Sequence, residues 1–136
     1  MGSDLSSLEL SHELRPSIKN LLRGTVPLDY LAAMKAATPA ITLVTAAEMT
    51  KGALKARWGP ARLGALESWL AAWPVLPYDS GVSHAWSRLV ADRENVGRPI
   101  AANDAWIAAC CLAADLPIMT LNLRHFEAIP GLALLP

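Results

Sequence analysis

Cysteine is scarce in this 136-residue chain: the two present, Cys110 and Cys111, are neighbours inside an apolar stretch. Adjacent thiols build no disulfide framework and match no spaced zinc motif, so both are expected as buried thiols in a reducing compartment. A surplus of either charge is also missing, because twelve basic residues balance twelve acidic ones. The overall field therefore does not advertise nucleic-acid binding, and any such activity must rest on local clusters. No charge-free apolar run approaches the roughly 20 residues of a membrane span, and no membrane partner is expected. The opening Met1-Gly2-Ser3-Asp4 has neither a basic nor an apolar leader region, so the expected location is cytoplasmic. His12, His84 and His125 lack zinc-site spacing, and there is neither a G-x-S-x-G elbow nor a phosphate-cradling glycine loop. Serine-type hydrolases and nucleotide-binding folds drop out.

What the chain does have is apolar content, at 53% of residues, enough for one packed domain over 1–136 without staples. Residues 1–16 are atypical, with only Leu8-Glu9-Leu10 alternating as a strand does before Pro16 intervenes. Short helices are expected over 17–23 and 28–37, stopped near Gly24 and Pro39. Ile41-Thr42-Leu43-Val44 is a β-branched apolar run and predicts a buried strand. Thr45-Ala46-Ala47-Glu48 then matches a capping box and predicts a helix to about Arg57, with Glu48 in its first turn. Ala61 to Trp73 should form the next helix and Val75 to Tyr78 a second strand, its proline near an edge or strand end. Asp79-Ser80 caps a helix from Gly81 to about Asn95, with Val82, Trp86, Leu89 and Val90 on one face. After the Gly97-Arg98-Pro99 turn, Ala101 to Ala114 is a nearly all-apolar helix carrying Asp104 in its first turn. Ile118-Met119-Thr120 reads as a strand, and Leu132 to Leu135 as an edge strand. Strands alternating with helices imply an α/β fold with a mostly parallel sheet, whose ligands gather beyond the strands' carboxyl ends.

Glu48 and Asp104 are the acids in the most apolar surroundings. Two carboxylates converging there would hold a hard divalent cation, Mg²⁺ or Mn²⁺, which activates water and offsets charge on a phosphodiester. Each acid alone has a simpler explanation, since Glu48 completes a capping box and Asp104 sits well against the helix dipole. Asp79 reads as a helix cap. Arg98 either holds a phosphate or fixes its turn, and Lys51, Lys55, Arg57 and Arg62 either track a nucleic-acid backbone or form a solvated face. The tryptophans, Trp58, Trp69, Trp73, Trp86 and Trp106, suit a core or a partner interface better than base stacking.

Several of these segments occur in a familiar order. Ile41 to Glu48, Gly52-Ala53-Leu54, Val75 to Asp79, Gly97 to Ile100, Asp104 to Ala109, Leu116 to Asn122 and Phe126 to Leu132 together resemble the PIN domain of VapC-type toxins, over roughly residues 38 to 136. The resemblance implies a three-layer α/β/α fold and a ribonuclease using Mg²⁺ or Mn²⁺ held by acids, with Glu48 and Asp104 at the matching catalytic and metal-ligating positions. It also implies a homodimer and a small antitoxin whose carboxyl-terminal segment enters the active-site groove. The chain departs from the pattern at both ends. The family's first strand ends in an aspartate, expected here at Leu14 or Arg15, so Glu13 is the nearest candidate third ligand and Leu8-Glu9-Leu10 a truncated first strand; Asp4 is a second stand-in. Asn122 is neutral and is assigned a contact through metal-bound water, His125 stands where aspartate is common, and Arg98 is assigned to substrate. Two readings follow: an endoribonuclease toxin, or a degenerate PIN domain that retains antitoxin or RNA binding.

Overall fold

The structure is a computed structural model, and it describes residues 40–120 and 123–135 together with the backbone of Glu9–Leu10. The helices expected over 17–23 and 28–37, and the candidates Asp4, Glu13 and Asn122, lie outside the described residues. The strands are β1 (Glu9–Leu10), β2 (Ala40–Ile41), β3 (Ile118–Met119) and β4 (Leu134–Leu135). The helices are α1 (Leu43–Lys55), α2 (Pro60–Ala71), α3 (Ser80–Asn95) and α4 (Ala102–Ala114).

All pairings are parallel, in the order β2-β1-β3-β4. The brief Leu8-Glu9-Leu10 alternation thus marks the centre of the sheet: Glu9 is level with Ala40 on one side and Ile118 on the other. The two-residue period of a strand sorts the side chains into two cores. Ala40, Ile118 and Leu134 face the α3–α4 layer, where Leu89, Ile107, Ala108 and Phe126 pack. Ile41, Met119 and Leu135 face the opposite layer, against Trp69, Leu70 and Trp73 of the α2 region. This is the expected three-layer α/β/α arrangement. Phe126, Ile107 and Ile118 are fully buried, each such side chain contributing about 1.5–3 kcal/mol of transfer free energy.

The strand-to-helix switch falls earlier than the sequence suggests. β2 ends at Ile41 and α1 begins at Leu43, because Thr42 is extended (ψ 159°) and its Oγ1 accepts the Thr45 N–H at 3.0 Å. Thr42 rather than Thr45 is the N-cap, and Glu48 falls in the second turn, outside any capping box. The expected strand at Val75–Tyr78 is reduced to an isolated bridge between Ile41 and Val75. Flanking Pro74 and Pro77 have no N–H to donate, so only the Leu76 N–H and the Pro74 carbonyl bond to Ile41. Helix α2 starts on Pro60 itself, the first-turn position where a missing N–H costs nothing. Asp79 caps α3 as expected, its Oδ1 accepting the Val82 N–H at 3.1 Å.

Candidate active site

Helix α4 positions the acid at its mouth. Its residues from Ala105 to Cys111 are buried except Trp106, which is half-buried, so the helix axis is fixed by packing against α3 and the sheet. Ala101 precedes it in extended conformation without a side-chain cap. The third helical residue, Asp104, therefore stands among the unbonded N–H groups and positive dipole of the first turn, where a carboxylate is favoured. Its side chain is 4% exposed, and Oδ2 lies 2.8 Å from His125 Nδ1. His125 comes from the short 3-10 turn Leu123–His125 beyond β3 and is 45% exposed, so the imidazole covers the carboxylate from the solvent side.

Glu48 reaches the same neighbourhood from α1. The Asn103 side-chain amide donates to Glu48 Oε1 at 2.8 Å, across 55 positions of sequence. Because Asn103 immediately precedes Asp104, this bond ties the second turn of α1 to the first turn of α4. Lys51 Nζ approaches the same Oε1 at 3.3 Å, with the Glu48 side chain 14% exposed and the lysine 58%. Glu48 lies on the helix that leaves β2 directly, and Asp104 is touched by His125 from the segment that leaves β3, so both acids sit on the side of the strands' carboxyl ends, where parallel sheets collect ligands.

The PIN domain family model matches residues 20–132 of the chain. The chain belongs to the PIN domain family. Ribonuclease VapC5 of Mycobacterium tuberculosis is 37% identical over 97 residues, covering 69% of this chain and 70% of that protein. The tRNA(fMet)-specific endonuclease VapC of Shigella flexneri is 32% identical over 92 residues, covering 68% and 70% respectively. Among solved structures, DNA-bound VapBC from Salmonella typhimurium matches with a TM-score of 0.81 and 26% identity, over 94% of this chain and 96% of that one.

Within this PIN domain the donor chemistry suits a hard cation. Glu48 and Asp104 stand on helix turns linked by the Asn103–Glu48 bond, and Mg²⁺ is commonly held by one or two carboxylates with waters filling the remaining positions. Among the described residues, no three His, Cys, Asp or Glu side chains gather into a metal-holding group. No helix among the described residues is long and apolar enough to cross a membrane.

The remaining candidates sort as follows. Arg98 is exposed on its turn, where the Arg98 N–H donates to the Arg93 carbonyl at 2.9 Å and Arg93 Nε donates back to the Arg98 carbonyl at 2.7 Å. That locks the entry to α4, and no ion pair among the described residues joins Arg98 to either acid. Lys55 and Arg57 are exposed, while Arg62 lies over the Trp58 ring at 3.9 Å. Trp86 and Trp106 stack at 4.7 Å, and Trp69 and Trp73 meet at the same distance, all four half-buried. Cys110 and Cys111 are buried as expected. Sequence reasoning missed Asn103. An amide beside the first-turn acid of an otherwise apolar helix is the signal that would have found it.

Proposed function

We propose that this PIN domain is a metal-dependent endoribonuclease, the toxin of a toxin–antitoxin pair, with Glu48 and Asp104 as principal ligands of Mg²⁺ or Mn²⁺. The observation that carries the reading is the Asn103–Glu48 bond, which brings the second carboxylate beside the helix turn that holds the first. The bound ion would supply Lewis acidity and a water made nucleophilic at neutral pH. The chain's own contribution is positioning. Burial and the His125 contact hold Asp104 in one orientation, and Asn103 and Lys51 hold Glu48. The RNA phosphodiester would lie across the carboxyl ends of the strands, with Lys51 as a mobile point charge for a phosphate oxygen and Arg98 at the rim.

The relatives named ribonuclease and endonuclease support nuclease chemistry on this fold. Their VapC names, and the VapBC likeness, support a cognate small antitoxin as partner. Exposed Leu43, Val75 and Tyr78, clustered in part around Trp106, offer apolar surface for a homodimer. A cytoplasmic location accords with the buried free thiols.

The test compares Mn²⁺-dependent cleavage of RNA by the wild type and by Asp104→Asn. Loss of one ligand charge should cost about 3 kcal/mol of transition-state stabilisation, on the order of a hundredfold in rate. Equal rates would sink the assignment. Calorimetric titration with Mn²⁺ separates the degenerate alternative, for which the wild type would bind no ion.

A further inference from the structure

A groove of about 350 Å³ runs along the outer side of α3, away from the Trp86–Trp106 stack. Leu89, Leu112 and Ile129 form its floor, and His84, Arg88 and Arg93 form its basic rim with Asp92 as the acid among them. Its direction follows from the packing of the two helices. Gly81 and Val82, at the start of α3, meet Cys110 and Ala113 near the end of α4. Arg93, near the end of α3, is bonded to Arg98 in the turn that enters α4. The helices are therefore antiparallel, and the rim climbs from His84 at the far end of the molecule to Arg93 at the end that carries Asp104. Nine helical residues separate His84 from Arg93, roughly 14 Å at 1.5 Å per residue.

We infer that this groove is a track for the RNA backbone leaving the active site, the guanidinium groups of Arg88 and Arg93 meeting phosphates while the apolar floor receives ribose and base. The inference rests on the nuclease reading above and adds to it the path of the substrate. Three features select RNA. The guanidinium fork matches phosphate oxygens bidentately. Neither arginine has an acidic ion-pair partner among the described residues, where the ion pairs are Lys51–Glu48 and His125–Asp104. The stripe also reaches the turn that precedes α4, through the bonds between Arg93 and Arg98. A basic rim over an apolar floor fits the amphipathic character of a nucleotide chain.

The experiment measures anisotropy of a labelled, unstructured 12-nucleotide RNA with the full chain in EDTA, which prevents cleavage, across a series of salt concentrations. Arg88→Glu should weaken binding about tenfold for every RNA sequence and lower the slope of log affinity against log salt by about one. Asp92→Asn should tighten binding. Both positions are exposed, and unchanged thermal unfolding will confirm that the variants fold. If the wild type binds RNA but neither variant alters affinity or slope, the track is wrong and the nuclease reading stands. A wild type that binds no RNA in EDTA overturns the track, and Mn²⁺-dependent cleavage by the same protein would leave the nuclease reading standing. Should Arg88→Glu abolish binding of an acidic peptide yet leave RNA untouched, the groove belongs to a protein partner instead.

Discussion

Helices α4 and α1, tied together by the Asn103–Glu48 bond, each carry one candidate acid, and they hold it in opposite ways. α4 is buried over most of its length, and Asp104 inherits its position from the helix: the axis is packed and the acid sits in the first turn under His125. α1 buries only Thr45, Met49 and Ala53. Its acid, a turn further from the cap, is held among the described residues by Asn103 and Lys51. One carboxylate is placed by the core, the other by contacts that reach across the chain. Changes in α4 should therefore damage the fold, whereas changes around Glu48 should tune the site and leave the fold standing.

The sharpest way to break this contrast is inside α4. Ile107→Ala empties a fully buried position and should destabilise the protein by about 2–5 kcal/mol, seen as a lower urea midpoint with unchanged slope. A cost below 1 kcal/mol would mean that packing does not hold Asp104. Next comes Asn103→Ala, at an exposed position. It should leave the urea midpoint within about 0.5 kcal/mol of wild type while weakening Mn²⁺ binding by about tenfold, the usual scale for losing a group that orients a ligand. Unaltered Mn²⁺ affinity would show that Glu48 needs no bridge. The smallest effect is expected of Lys51→Ala, since its ammonium is more than half exposed and such pairs contribute about 0–1 kcal/mol. Mn²⁺ affinity should rise slightly as a competing cation is removed, and a fall would make the lysine a support of the site.

The same contrast governs how much was legible beforehand. The α4 segment could be read almost to the residue, because a nearly all-apolar run between a Gly-Arg-Pro turn and Asp115 leaves little choice of boundaries. Asp115 ends it in left-handed conformation, φ 54° and ψ 47°, a role that short polar side chains tolerate. The α1 boundary was harder. Thr42 and Thr45 are both competent caps, and local preference cannot choose between them. The choice lies with the sheet: pairing with β1 ends at Ile41, which leaves Thr42 as the first residue free to turn the chain. Val75 to Tyr78 misled for a related reason, since apolar content suits a strand but prolines on either side of the bridge withhold ladder donors. The central position of β1 was similarly hidden. Two residues carry no periodicity, and their rank comes from neighbours 31 and 109 positions away in the register with Ala40 and Ile118.

By itself, the sequence determined the class of fold and the family and singled out both acids as candidates, because these rest on local patterns: apolar periodicity, turn residues and an ordered series of short motifs. Only the tertiary structure decided that Asn103 binds Glu48, that His125 covers Asp104, and that Arg88 and Arg93 line one groove. Those contacts depend on which helix faces pack together, and packing is settled by burying apolar area across the whole sheet, a quantity no single stretch of residues contains.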